Sequence, residues 1–348
     1  ATDFFQLVPK DLIKSGCGSL MTMAESHLYP KTLETVNQKG KNFKAFESDL
    51  GFKTETLKLI KLKIVNTETP VFGVDTSNIE LGETSDGILS AIRGTIVWVE
   101  KGAYRYVRYG PFVFHITEAN KQHLCGTLNQ AYFNHKIIAG APIVEKMPEY
   151  IRNVFERWLQ KLTCNSSEDS LILFDGSLTS RASPGSILVL EELLRNARSR
   201  QNVVMAFSKK TNLSIFGCRV SDLIENKHAP CLKRLDDHVI SQYNSNFYFS
   251  GRIYAAKLLP SYFTFRLDID RKISELEGIQ AVQKLLGSDL IINNYPETLR
   301  LAHIMSRFSA GEVIAIQRYV AEKYHLKILC RPDVRRVLFG SYSHFAAT

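Results

Sequence analysis

The chain is 348 residues long, 45% hydrophobic and 23% charged, a balance that suits one elaborated globular domain or two and excludes a disordered or low-complexity chain. No run approaches the ~20 consecutive apolar residues of a membrane span, and the opening ATDFFQLVPKDLIKSG lacks the apolar stretch of a secretory leader, so a cytoplasmic protein with no membrane partner is expected. Lys and Arg number 44 against 35 Asp and Glu, a formal charge of +9 that points to an anionic partner, with nucleic acid the first candidate.

Residues 1–70 read as an N-terminal extension suited to oligomer or partner contacts. They hold a polar stretch, Asn37-Gln38-Lys39-Gly40-Lys41, and a basic amphipathic run, Thr54 to Lys63, whose pattern fits a helix or a strand. Residues 71–348 read as one α/β unit. Val71-Phe72-Gly73-Val74-Asp75 is a short apolar strand ending in an acid, with the turn-like Thr76-Ser77-Asn78 behind it. Thr95 to Val99 and Tyr104 to Tyr109 form strands joined through Glu100-Lys101-Gly102-Ala103, and Phe112 to Ile116 extends the meander. Between Pro148 and Leu162, apolar residues at Ile151, Val154, Phe155, Trp158, Leu159 and Leu162 have helical spacing. Leu171-Ile172-Leu173-Phe174-Asp175 repeats the apolar strand with a terminal acid. A helix from Ile187 to Arg198, a strand from Val203 to Phe207, a segment from Tyr262 to Asp268 and another from Pro296 to Arg307 follow. The resulting β-β-β-α-β-α-β order predicts a mixed sheet with helices on both faces.

Functional groups in such sheets gather beyond the carboxyl ends of strands. Strands ending in Asp75 and Asp175 bring two carboxylates together, and a divalent cation relieves their repulsion; oxygen ligands suit Mg²⁺ or Mn²⁺. Glu156, on the helix before the second acidic strand, can add a third ligand. Taken singly, each Asp is as well explained as a turn former, so the expectation rests on their joint placement. Six cysteines without a C-x-x-C pair argue against a zinc ribbon or a disulfide framework. A P-loop, H-E-x-x-H and G-x-S-x-G are all missing from the sequence. With the basic charge, the acids read as a metal-dependent nuclease that cuts by two-metal phosphodiester hydrolysis. The alternative is a non-catalytic DNA-clamping or scaffold subunit on the same fold.

Phe72-Gly73-Val74-Asp75-Thr76-Ser77, Phe155-Glu156, Leu171 to Leu178, Phe207-Ser208-Lys209, Tyr262 to Asp268 and Tyr295-Pro296-Glu297-Thr298-Leu299-Arg300-Leu301-Ala302-His303 together resemble the NurA nuclease family of archaea. The resemblance runs in order from residue 71 to about residue 310, and its most specific pieces are D-G-S-L and Y-P…A-H. It implies an RNase H-like core of the PIWI kind, with helical additions. It also implies Mn²⁺-dependent exonuclease and endonuclease action on DNA, work with the HerA translocase in double-strand-break end resection, and a homodimer. Carried over by position, Asp75, Glu156, Asp175, Asp268 and His303 become metal ligands, and Lys209 sits near the scissile phosphate. Asp270 competes with Asp268 for its place, and Lys210 with Lys209. Tyr295 is expected to pack so as to orient the site. Tyr104, Arg105, Tyr106, Arg108 and Tyr109 interleave rings and cations on one strand, a pattern that can contact DNA or form an amphipathic or interface strand.

Overall fold

The computed structural model describes residues 16–19, 57–133, 140–181, 184–209, 214–215, 218–220, 222–235, 247–261 and 263–329. Its first half contains β1 (Gly16–Ser19), β2 (Leu59–Lys61), β3 (Val71–Glu83), β4 (Gly87–Glu100), β5 (Ala103–Thr117), α1 (Lys121–Phe133), α2 (Met147–Ser166), β6 (Leu171–Asp175) and β7 (Thr179–Arg181). The second half, two-residue ladders aside, contains α3 (Pro184–Ser199), β8 (Val203–Ser208), β9 (Cys231–Arg234), β10 (Phe247–Phe249), β11 (Gly251–Lys257), β12 (Phe265–Asp270), α4 (Glu275–Ser288), α5 (Glu297–Ser306) and α6 (Ala310–Tyr324).

A ten-stranded sheet in the order β1-β5-β4-β3-β6-β8-β12-β11-β9-β2 forms the centre. Only β3–β6 and β6–β8 pair in parallel; the other neighbours are antiparallel. The fold is therefore mixed α/β, with helices on both sheet faces. Both edge strands come from the first 70 residues: Gly16–Ser19 on β5 and Leu59–Lys61 on β9. The run from Thr54 to Lys63 thus contributes a strand, since Leu59–Lys61 finds an open edge to pair with.

Side-chain parity divides the core. Val74, Ile92, Ile96 and Phe112 meet Phe155 and Leu159 of α2, and on the same face Ile172, Phe174, Val204 and Ala206 meet Leu190, Leu193 and Leu194 of α3. The opposite face carries Val71, Leu171, Leu173, Met205, Leu267 and Ile269, covered by Val282 and Leu285 of α4 and Leu299 of α5. Ten or more buried side chains per cluster, the larger ones contributing roughly 1.5–3 kcal/mol each, hold the helices to the sheet. The α6 helix is tied down by a buried cation: Arg93 Nη2 lies 2.7 Å from Glu312 Oε1, and its guanidinium stacks 4.4 Å from the Phe308 ring.

Two boundaries differ from the sequence reading. The first acidic strand does not stop at Asp75, because β4 pairs with it continuously from Val71 to Glu80, through Thr76-Ser77-Asn78, and beyond a register shift to Glu83. Tyr104–Tyr109 and Phe112–Ile116 form one strand, β5, and the irregularity at Gly110-Pro111 is absorbed by a register shift opposite Ile92 and Gly94. The acidic strand at Leu171–Asp175, the helix over Pro148–Leu162 and the helix over Ile187–Arg198 lie within β6, α2 and α3. Tyr262, Lys210 and the tail from Cys330 fall outside the described residues. Among the described residues, no helix is long and apolar enough to cross a membrane.

Candidate metal centre

The parallel ladder between β3 and β6 ends at the pair Val74 and Phe174. Past that point β3 continues along β4 while β6 stops, and the strands part into a crevice of the kind that binds ligands in open sheets. Asp75 and Asp175 are the next residues on each strand. Both share the parity of Val71, Gly73, Leu171 and Leu173, so both face α4 and α5.

The α5 helix delivers the third group. It approaches β3 closely because Gly73 has no side chain: a Cβ there would lie 3.0 Å from the Thr298 backbone carbon and oxygen. One and two turns further along, His303 Nδ1 lies 2.8 Å from Asp75 Oδ2, and Ser306 Oγ donates to the same oxygen at 3.2 Å. A carboxylate facing Nδ1 places the proton of the neutral ring there and leaves Nε2 with its lone pair. Asp75 Oδ1 keeps no protein hydrogen bond among the described residues. One ligand atom each from Asp75, Asp175 and His303 lies within 4.8 Å of the others.

Asp175 begins the D-G-S-L turn. Gly176 has φ +118°, a left-handed-side conformation that a side chain would strain. The turn is held by Gly176 N–H donating to Phe207 O at 2.8 Å and Leu178 N–H donating to Asp268 Oδ2 at 3.0 Å. Lys209, just past β8, places Nζ 2.7 Å from Asp175 Oδ2 and 4.9 Å from the Tyr295 ring centre. Tyr295 is buried, with its hydroxyl beside the Asp175 carboxylate. Burial, with the Asp175 and Asp75 charges beside it, pushes the Tyr295 phenol far above its ordinary range, so it stays a neutral donor.

Asp75, Asp175, His303 and Lys209 are thus brought together. Glu156 approaches from the opposite face with α2: Thr76 Oγ1 donates to its Oε2 at 3.1 Å, and Arg152 Nη1 lies 3.0 Å from that oxygen. Burial raises the Glu156 pKa, and the Asp75 charge adds to the rise against the lowering by Arg152, Arg157 and Thr76, so Glu156 stands within electrostatic reach of the centre. Asp268 lies elsewhere, and its place in the ligand set is corrected. Its register partner is Ala206, which puts it on the α3 face, where Arg266 grips it with Nε–Oδ1 and Nη2–Oδ2 both at 2.7 Å. Asp270 shares that face, with Arg198 Nη1 at 2.5 Å. Both aspartates are neutralised by arginine on the side of the sheet away from Asp75 and Asp175.

The β5 residues split by parity. Tyr104, Tyr106 and Arg108 lie toward α5: Tyr104 Oη donates to Asp289 Oδ1 at 2.6 Å, Tyr106 packs near Val97, Ala302 and Met305, and Arg108 Nη2 lies 3.4 Å from Met305 Sδ. Arg105 is exposed on the other face, and Tyr109 meets Trp158 edge-on at 5.8 Å. β1 pairs along the outer edge of β5 from Arg105 to Arg108. Ser306 was not singled out from sequence, although its i+3 spacing from His303 puts both on one helix face.

The donor set fits a divalent cation. Two carboxylates supply hard oxygens, and an imidazole favours a transition metal over Mg²⁺. Neither a protein-family model nor a curated protein matches the sequence. Among solved structures, the NurA nuclease from Sulfolobus solfataricus superposes with a TM-score of 0.52 at 15% identity, over 78% of this chain and 89% of that one. A NurA bound to dAMP and manganese gives a TM-score of 0.43 at 9% identity over 79% and 92% of the two chains, and a further NurA gives 0.42 at 10% over 76% and 90%. The chain therefore has the fold of the Sulfolobus solfataricus NurA nuclease, with a carboxylate and histidine cluster suited to a divalent metal in the crevice between β3 and β6.

Proposed function

We propose that the protein is a metal-dependent DNA nuclease on an RNase H-like sheet, with Asp75, Asp175 and His303 as ligands to Mn²⁺. The convergence of those three side chains within 4.8 Å, on a fold shared with a nuclease, carries this reading. When bound, the metal supplies charge neutralisation at the phosphate and activation of the attacking water. Asp75, Asp175 and His303 would hold that ion, His303 through Nδ1, the ring nitrogen that faces Asp75, with its proton then on Nε2. Lys209 is placed to exchange its contact with Asp175 for a phosphate oxygen, where a fixed cation favours developing negative charge. Tyr295 presents a neutral hydroxyl to the same space. Glu156, whose ionisation burial and the Asp75 charge oppose and Arg152 favours, is the further acid that a second ion would draw in.

The sequence resemblance supports the finer assignments: DNA ends as substrate, exonuclease and single-strand endonuclease action in end resection, the HerA hexamer as partner and a homodimer. The basic charge of +9 supports DNA as the partner. The decisive experiment compares wild type with Asp175→Asn on linear DNA with Mn²⁺. The expected outcome is loss of cleavage by a factor of at least about 100, with metal-free DNA affinity within about twofold. Equal cleavage by the two proteins would overturn the catalytic reading and favour a DNA-clamping subunit.

A further inference from the structure

The α5 helix carries His303 but starts at Pro296, whose side chain cannot accept a hydrogen bond, so its first N–H groups need partners from elsewhere. Asp289, the residue that ends α4, supplies one. It is buried, with 7% of its surface exposed, and its Oδ2 accepts from Thr298 N–H at 3.1 Å. The adjoining Leu290 carbonyl accepts from Glu297 N–H at 2.7 Å. Tyr104 of β5 closes the network: its hydroxyl donates to Asp289 Oδ1 at 2.6 Å and accepts from Leu290 N–H at 3.1 Å.

We infer that Asp289 and Tyr104 are positioning residues for the metal centre, fixing the height and rotation of α5 so that His303 meets Asp75. This inference rests on the reading of that centre given above. Three facts carry it. The anchored Thr298 is also the residue packed against Gly73, so the network holds α5 at its contact with β3. His303 lies five residues further on, about 7.5 Å along the axis, on a helix too short to bend away from its anchor. Asp289 presents a carboxylate oxygen to a first-turn N–H of α5 that no residue of the helix can satisfy, which ties the start of the helix to the end of α4. Neither residue reaches the reacting groups; each acts through α5.

The test uses the full chain with Tyr104→Phe, which removes one oxygen, and Asp289→Asn. Imidazole ¹⁵N–¹H spectra of the metal-free protein, with the His303 signals assigned by their loss in His303→Gln, report the Nδ1 contact with Asp75. Mn²⁺ affinity is measured in parallel by electron paramagnetic resonance. Leu223→Ala, in a separate cluster with Val220, Leu235 and Ile253, serves as a control destabilised away from the network. The expected result is that both network variants move the His303 Nδ1 and Nε2 signals and weaken Mn²⁺ binding about threefold to tenfold, while Leu223→Ala does neither. Unchanged His303 signals in either folded network variant, or equal movement in the control, would overturn the inference. Moved His303 signals in a protein that binds no Mn²⁺ and cuts no DNA would uphold the positioning role and instead refute the nuclease reading.

Discussion

Asp75→Asn tests the metal centre through stability as well as cleavage. Asp75 and Asp175 offer oxygens within 4.8 Å of each other, and at an effective dielectric of about 20 two unit charges at that separation repel by about 3.5 kcal/mol. Lys209, 2.7 Å from Asp175, offsets much of this, which leaves a residual repulsion on the order of 1 kcal/mol in the metal-free protein. The substitution removes that repulsion and keeps an oxygen for the His303 and Ser306 hydrogen bonds. Its expected effect without metal is a rise in Tm of about 2 °C. Mn²⁺ at one hundred times its Kd stabilises the wild type by about 2.7 kcal/mol, and this gain is expected to disappear in the variant together with DNA cleavage. Scanning calorimetry with and without Mn²⁺, paired with single-turnover degradation of linear DNA, reads both effects. A variant that keeps the full Mn²⁺ shift, or cuts at the wild-type rate, would refute the assignment of Asp75 as a ligand.

Two further outcomes follow from the packing around α5. Gly73→Ala places a methyl 3.0 Å from the Thr298 backbone, so α5 must move by a few tenths of an ångström; a loss of about 1–2 kcal/mol in urea unfolding and a several-fold fall in cleavage rate are expected, and wild-type values for both would show that the close approach is not needed. Burial raises the Asp289 pKa to about 6, against the lowering by its Tyr104 and Thr298 hydrogen bonds. Because the folded state binds that proton more tightly than an unfolded carboxyl of about 3.9, stability contributed here is present at low pH and falls as pH rises from about 4 to 6, by up to about 3 kcal/mol. Urea midpoints measured from pH 4 to 7 should lose this component in Asp289→Asn; an unchanged pH profile would contradict it.

The acids Asp75 and Asp175 were legible because each sits in an unbroken local pattern: an apolar run of strand length, then a carboxylate, then Thr-Ser or Gly-Ser. His303 was legible only through its motif, since the segment Leu299 to Ile304 looks like any half-buried helix face. Asp268 was misplaced for a definable reason. A strand residue's face depends on its register with its neighbour, and the pairing of Asp268 with Ala206, two places from Ser208, turns it to α3 and Arg266. The shift of one residue would have put it on the other face. Tyr104 shows the same limit: its interleaving with Arg105 suggested a DNA contact, yet the Asp289 carboxylate that takes its hydroxyl comes from 185 positions further along the chain.

Local sequence, then, determined the strands β3 to β6 and β8, the helices α2 and α3, and the two aspartates that follow apolar runs, because backbone conformation and burial pattern are set by neighbours within a few residues. Tertiary structure alone decided which charges share a cavity. It parted β3 from β6 just beyond Val74, brought α5 against Gly73 so that His303 met Asp75, and sent Glu156 and Asp268 to the other side of the sheet, each with an arginine. Electrostatic partnership falls off with distance in space rather than along the chain, and the sheet registers that set those distances are long-range pairings that no short stretch of residues contains.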